Sequence, residues 1–338
     1  MHTLPALTDA MLALDGDIQF DWLVEEAFAE IPSWHPAVKQ VIPVAIRRWR
    51  KQPFKSFFSA QWKRFKQQLN ESQYDYIIDA QGLLKSAWLT RLARGTSYGL
   101  DKYSAREPLA SRFYQNTLGI EKNQHAVERV RQLFAAVLQY TLTDKIDYGI
   151  QQGIKESETV HSHQSPAVLF FHGTTWATKH WPENSWHQLA QQLVKNKCLV
   201  YLPWGSEAER LRAERIKQQV SDPQHIIILP AMSLTEIMHK LTEIDAVVSV
   251  DTGLAHLAAA LDKPQITLFG PTNPGLTRPY GQNQHYLQVD YPCRTCMKKN
   301  CAKTEMDNSG NIIQPACFSS LSPETVMDKL QPLLGQYQ

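Results

Sequence analysis

The sequence predicts an α/β protein made of two Rossmann-like domains with parallel sheets, and three observations carry that prediction. Apolar runs of strand length alternate with stretches of helical period through both halves of the 338-residue chain, as strands joined by crossover helices require. A polar segment with no sustained period, Thr141 to Pro166, separates the halves. Finally, Val247 to Tyr280 reads as a buried strand, a small turn, a helix and a second buried strand, which is one unit of a nucleotide-binding fold.

In the first half, Ile18 to Val24, Val41 to Val44 and Tyr74 to Ala80 are expected strands, with helices over Phe57 to Leu69, Leu84 to Ala93 and His125 to Leu138. In the second half the expected order is strand Ala167 to His172, helix Ser185 to Lys195, strand Cys198 to Pro203, helix Glu207 to Gln219, strand His225 to Leu229 and helix Ser233 to Leu241. Ala246 to Val250, apolar and rich in valine, follows as a central strand, and Leu254 to Leu261 as a helix whose Leu254, Leu257 and Leu261 face the core. Ser322-Pro323-Glu324-Thr325 caps a terminal helix to Leu334. These elements place a first domain over residues 1–150, a second over 151–320 and the terminal helix over 321–338. Two such domains usually leave ligands at the carboxyl ends of the strands.

The formal charge of +2 excludes generic nucleic-acid binding. No apolar run approaches the ~20 residues of a membrane span, and Met1-His2-Thr3-Leu4-Pro5 does not begin a signal peptide. Five cysteines, Cys198 among them inside a strand-like run, fit a reducing compartment. The expectation is a cytoplasmic protein, peripheral to a membrane.

The turn Asp251-Thr252-Gly253 opens a helix, whose N-terminus offers unpaired N–H groups and a positive dipole end to a phosphate, with Gly253 leaving room for close approach. Thr252 and His256 lie four apart near that end and face a ligand. Other strand ends carry similar chemistry. His172-Gly173-Thr174-Thr175 is a hydroxyl-rich turn followed by Lys179, a set suited to phosphate oxygens. Leu202-Pro203-Trp204-Gly205 precedes a helix with Glu207 and Glu209 in its first turn, either a dipole-favoured position or a ribose contact. In the first half, Arg47, Arg48, Trp49, Arg50 and Lys51, followed by Phe54, Lys55, Phe57, Phe58, Trp62, Lys63, Arg64, Phe65 and Lys66, read either as a solvated face with apolar anchors or as a surface for anionic headgroups.

Across both halves, the segments HTLPALTDA, FDWLVEEAFAEIPSWHPAV, VIPVAIRRWRK, YDYIIDAQGLLKSA, AREPLASRFY, HAVER, HGTTWATKHWPE, LPWGSEAER and VSVDTGLAHLAAALDKPQITLFGPTNPGL resemble the bacterial lipopolysaccharide heptosyltransferases of glycosyltransferase family 9. The resemblance implies a GT-B architecture with an acceptor-binding first domain, a donor-binding second domain, a cleft between them and a terminal helix crossing back to the first. It implies inverting transfer of L-glycero-D-manno-heptose from ADP-heptose to the Kdo sugar of the lipid A inner core, at the cytoplasmic face of the inner membrane. A transferase adding a later core heptose and a donor-binding, non-catalytic homologue are the alternatives.

Residue by residue, the resemblance implies Thr174, Thr175 and Lys179 at the donor phosphates, Glu209 at the ribose and Met232 beside the adenine. It places Asp251, Thr252, Gly253 and His256 at the diphosphate and the transferred heptose, with Lys179 and Asp251 as the catalytic pair. The ammonium of Lys179 and the N–H groups at Gly253 would stabilise charge on departing ADP, so no metal or cofactor is expected in the reaction. Arg47, Arg50, Lys51 and Arg106 are the acceptor candidates, arginine being suited to carboxylate and phosphate. In the family, a first strand and a Gly-Asp loop bearing the general base precede the segment matching His2 to Pro5. The given chain begins after that loop, so the expectation is a first sheet short of one strand. Asp79 ends a strand and survives as another carboxylate. Cys293-x2-Cys296-x4-Cys301-x15-Cys317 is either a set of reduced thiols or a structural zinc site.

Overall fold

A computed structural model describes residues 1–51, 59–150, 165–306, 310 and 312–334, and the chain falls into two units, Met1–Gly153 and Ile154–Gln338. Phe54, Lys55, Phe57 and Phe58 of the basic and aromatic stretch lie outside the described residues.

The first unit runs α1 (Leu4–Ala13), β1 (Phe20–Glu25), β2 (Val38–Val44), α2 (Ala60–Leu69), β3 (Tyr74–Ile78), α3 (Leu84–Thr90), β4 (Gly95–Leu100), β5 (Asn116–Leu118) and α4 (Ala126–Leu138). Its strands form two parallel sheets instead of one, β1 with β2 and β3-β4-β5. Tyr74 Oη donates to Asp21 Oδ2 at 3.0 Å, a side-chain link between the edge strands β3 and β1. Strands β4 and β5 escaped the sequence reading because Gly95 and Gly99 interrupt one and the other has three residues.

Helix α2 shows how this unit spends its aromatic residues. Ser59 Oγ accepts from Trp62 N–H and caps the helix, and Trp62, Phe65 and Leu69 recur at helical spacing and are buried while Lys63, Arg64 and Lys66 stay exposed. Trp49 packs edge-on to Trp62 at 5.2 Å, and Trp62 stacks on Trp88 at 5.8 Å. Trp62 and Phe65 pack with Ile42, Val44 and Leu89, and Trp49 lies against this core. The solvated-face reading therefore holds for this helix, and its aromatic residues are core, not membrane anchors.

Two polar ties hold the rest of the unit. The buried guanidinium of Arg131 on α4 binds Asp9 on α1 at 2.6 Å and the carbonyls of Thr143 and Lys145 at 2.6 and 3.1 Å, so the charge is paired and its donors are used. His35, 1% exposed, accepts from Ala37 N–H at Nδ1 (3.1 Å), which leaves Nε2 to donate to Thr8 Oγ1 at 2.9 Å. Gly149, at φ 68°, closes over this ring; a Cβ there would sit 2.5 Å from His35 Nε2.

The second unit is built on a six-stranded parallel sheet, β6 (Ala167–Phe171), β7 (Leu199–Leu202), β8 (Ile226–Ile228), β9 (Ala246–Val250), β10 (Gln265–Phe269) and β11 (Gln284–Gln288), in the order β11-β10-β9-β6-β7-β8, with a small antiparallel pair, Glu305–Met306 and Ile312–Ile313, besides. All residues of β6, β9 and β10 are buried, as strands covered on both faces must be. The crossover helices are α5 (Glu183–Lys195), α6 (Glu207–Gln218), α7 (Leu234–Thr242) and α8 (Gly253–Ala260). Strand β11 was not anticipated because Gln284-His285-Tyr286-Leu287-Gln288 is a polar edge strand. A buried polar ladder crosses three strands: Ser249 Oγ meets Thr267 Oγ1 at 3.0 Å, and Gln265 Nε2 donates to Thr267 Oγ1 and to Gln284 Oε1, each at 3.1 Å.

Helix α9 (Pro323–Leu334), the helix the resemblance expects to cross back to the first domain, packs its apolar side in the second unit. Val326, Met327, Leu330 and Leu334 join the core formed by α5 and the sheet, and Trp181 Nε1 donates to Leu321 O at 3.1 Å just before the helix. Its apolar stripe is satisfied there.

Burial lowers the His35 pKa to about 4, with Asp147 opposing weakly. An unfolded histidine at ~6.5 binds its proton first as the pH drops, so the neutral ring's contribution is complete above pH 6.5 and is lost as the pH falls toward 4. The expected slope approaches about 1.4 kcal/mol per pH unit in that window. Denaturant titrations at pH 4 to 7.5 check it: His35→Gln should flatten the profile by that one-proton component, and a profile parallel to wild type would contradict the assignment.

Candidate nucleotide-sugar site

Strands β6 and β9 are adjacent, yet the chain leaves β6 toward β7 on one side and β9 toward β10 on the other. Turns that follow such a pair diverge and open a crevice at the carboxyl ends. There the second unit carries a cavity of about 630 Å³, the size of a small-molecule site. Thr174, Thr175, Lys179, Glu209, Met232, Asp251, Thr252, Gly253 and His256 all line it. All nine residues that the resemblance assigns to the donor are thus gathered in a single pocket, whereas Glu207, the other carboxylate in the first turn of α6, pairs with Arg210 instead.

Each wall has a local cause. After β6, Gly173 begins the turn, and a single helical turn at Ala177–Lys179 brings the ammonium of Lys179 to 2.7 Å from Asp251 Oδ2. The same Oδ2 accepts from Thr272 Oγ1 at 2.7 Å, and Thr174 Oγ1 donates to Asp251 O at 3.2 Å. Asp251 therefore ties together the turns after β6, β9 and β10. Thr272 escaped the sequence reading, since nothing in Gly270-Pro271-Thr272 marks it as more than a turn residue.

Helix α8 starts at Gly253 with no side-chain cap, and no protein atom lies within 4 Å of where a Cβ on Gly253 would project. Its first N–H groups and dipole end are thus directed at the pocket without a competing side chain. Leu254, expected in the core, lines the pocket instead, because the first turn of α8 overhangs the crevice; Leu257 and Leu261 are buried as expected.

Glu209 is aimed by its backbone neighbours. Ser206 Oγ caps α6 by accepting from Glu209 N–H, and Glu209 Oε2 accepts from Gly205 N–H at 2.7 Å. Behind it, Arg212 donates to His172 O at 3.2 Å and bonds His180 Nδ1 at 2.6 Å. Burial, with the nearby Arg212 and His180 charges, lowers the His172 pKa to about 3, so this ring stays neutral.

The acceptor candidates all belong to the first unit. Arg47 follows β2, its N–H donating to Glu25 Oε1 at 3.1 Å and its guanidinium 5.6 Å from the Phe28 ring. Arg50 and Lys51 are exposed beyond it, and exposed Arg106 packs its backbone against Gly82. Asp79 is fully engaged: Oδ2 accepts from Tyr114 Oη at 2.7 Å and Ser86 Oγ at 2.8 Å, and Oδ1 accepts from Gln81 N–H at 2.8 Å. This carboxylate holds a turn and is not a free base. Asp15-Gly16-Asp17 is a left-handed turn, with φ 49° at Asp15 and 81° at Gly16.

Cys293, Cys296, Cys301 and Cys317 are free thiols. Burial, then the nearby Cys293, Cys301 and Cys296, push the Cys317 thiol up to about 11. Among the described residues, no three Cys, His, Asp or Glu side chains are grouped closely enough to hold a metal ion.

A crevice of this kind, at the switch point of a doubly wound sheet and lined by an ammonium, hydroxyls and a helix N-terminus, defines the class of α/β proteins that bind nucleotide-like ligands there. Residues 62–306 match the model of glycosyltransferase family 9 (heptosyltransferase), and the chain belongs to that family. It is 51% identical over 341 residues to lipopolysaccharide heptosyltransferase 1 of Pseudomonas aeruginosa, covering 99% of this chain and 94% of that protein. Among solved structures it is similar to the Escherichia coli heptosyltransferase WaaC with ADP (TM-score 0.84, 44% identity, 98% of this chain and 95% of that one). It is similar as well to the same enzyme with ADP-2-deoxy-2-fluoro heptose (TM-score 0.81, 43% identity, 98% and 95%). The GT-B fold of two Rossmann-like domains is thereby that of the chain.

The aim of Glu209 can be tested through Gly173. A Cβ on Gly173 would lie 2.1 Å from Glu209 Oε1, so Gly173→Ala should push the carboxylate off Gly205 N–H. The expected result is amide exchange at Gly205 faster by roughly fivefold, as for a bond worth ~1 kcal/mol, with the exchange of β6 unchanged. Unaltered exchange at Gly205 would show that Glu209 is held otherwise.

Proposed function

We propose that this chain is a lipopolysaccharide heptosyltransferase 1, transferring L-glycero-D-manno-heptose from ADP-heptose to a Kdo sugar of lipid A with inversion. The observation that carries the reading is the pocket at the carboxyl ends of β6 and β9, where an ammonium, hydroxyls and a helix N-terminus converge. Support comes from the similar E. coli enzyme, which was solved with ADP and with an ADP-heptose analogue.

In this reading the diphosphate sits between Lys179, Thr174, Thr175 and the N–H groups at Gly253, Glu209 holds the ribose, and Met232 lies beside the adenine. Asp251 and His256 face the heptose. The acceptor hydroxyl attacks the anomeric carbon as the bond to the β-phosphate oxygen breaks, and ADP departs with the electron pair. The acceptor proton goes to a base. Lys179 and the start of α8 stabilise the charge that grows on ADP, so the chemistry needs no metal at this wall. Asp251 orients the ammonium while no phosphate competes for it.

Arg47, Arg50, Lys51 and Arg106 supply positive charge for the Kdo carboxylate and the lipid A phosphates. None of the described helices is long and apolar enough to cross a membrane. The working place we infer is the cytoplasmic face of the inner membrane, held by these contacts.

The test is transfer itself. Incubated with ADP-heptose and Kdo-lipid A, the chain should release ADP in step with heptosylated acceptor. Lys179→Ala should lower kcat/KM by about 10²- to 10³-fold, and Arg50→Ala should raise the acceptor KM with donor binding unchanged. Transfer only to an acceptor that already carries heptose would replace this reading with a later-acting transferase, and binding of ADP-heptose without transfer would replace it with a donor-binding homologue.

A further inference from the structure

We propose that Lys299, on the cysteine-bearing loop after β11, is a second cation for the diphosphate of the nucleotide-sugar donor, acting beside Lys179 across the ring of Trp176; this rests on the donor reading above.

The charge balance of the pocket calls for such a group. The carboxylates lining it are Glu209 and Asp251, against one ammonium, that of Lys179. Lys179 is already at 2.7 Å from Asp251, and Arg212 behind Glu209 is spent on His172 O, His180 and, at 3.9 Å, Glu183. A nucleoside diphosphate brings a negative charge on each phosphate to a wall whose side chains are on balance negative. The N-terminus of α8 offers only part of a charge.

Lys299 lies outside the lining of the pocket but close to the Lys179 ammonium within it. Its Nζ lies 5.6 Å from the centroid of the Trp176 ring, and the Nζ of Lys179 lies 4.8 Å from the same centroid. Two ammonium groups over one indole repel each other, and the ring compensates only in part; an anion shared by both relieves the conflict.

The loop is fixed to the donor site. Buried Thr178, the residue before Lys179, donates from Oγ1 to Lys298 O at 2.6 Å. Met297 N–H donates to Pro271 O at 2.9 Å, beside the Thr272 that holds Asp251. Lys299 is thus one residue from a clamp on the turn that carries Lys179. Its side chain is long and exposed, free to turn from the indole onto a phosphate. Lys298 shares the loop and the charge, but its anchor is its carbonyl.

Calorimetric titration with ADP and AMP, on wild type, Lys299→Ala, Lys299→Arg and Lys298→Ala, tests the proposal. Lys299→Ala should bind ADP roughly tenfold more weakly, as for loss of a charge-assisted contact. AMP, which lacks the β-phosphate, should lose less, Lys299→Arg should recover most of the affinity, and Lys298→Ala should bind like wild type. ADP affinity unchanged in Lys299→Ala overturns the proposal, as does an equal loss in Lys298→Ala, which would mean a diffuse field. If wild type binds no ADP, the donor reading fails and takes this inference with it.

Discussion

The parallel pairing of β6 with β9 is the constraint on which the rest of the second unit depends. Val168 to Phe171 register against Ala246 to Ser249, and because their outgoing connections run to opposite sides, the turns after them cannot close on each other. What would be a packing defect elsewhere becomes a crevice with its own electrostatics. Asp251 stands at the end of one of these strands and takes Lys179 from the turn after the other. The chemistry of the site is thus tied to backbone topology through a single carboxylate.

The two units solve the α/β problem differently. The second buries three adjacent strands from end to end and covers them with amphipathic helices, α9 included. The first divides its strands between two sheets and relies more on aromatic clusters and polar ties, such as Arg131 with Asp9. In the proposed reading, the pocket of the second unit orients the nucleotide and the exposed basic residues of the first meet a charged lipid acceptor.

The legible parts of the sequence were those where one physical signal dominates. Ala246 to Val250 is so uniformly apolar that only a central strand accommodates it, and its exit into Asp251-Thr252-Gly253 opens onto the pocket. Gly95 to Leu100 and Gln284 to Gln288 were not legible, because glycine and polar residues remove the alternation that marks a strand and only their neighbours hold them in a sheet. Arg50 and Lys51 could be read as cations but not as paired or free, and Asp79 looked available until Tyr114, Ser86 and Gln81 were seen to surround it. Leu254 has the residue type of a core position, and only where the crevice opens decides that it is not one. Thr272 depends on the register of β10, which no local pattern encodes.

That register is itself held by side chains. The chain of contacts from Ser249 through Thr267 and Gln265 to Gln284 places hydroxyls and amides opposite one another in the dry interior of the sheet, where an unmatched polar group is expensive. A slip of β10 by one residue would shift it by about 3.3 Å, strand those groups among valines and draw Thr272 away from Asp251. The ladder is in effect a vernier. It contributes little that an apolar core could not, but it converts the identity of three buried polar side chains into the position of a carboxylate at the rim, so alignment of the site is enforced from deep inside the sheet.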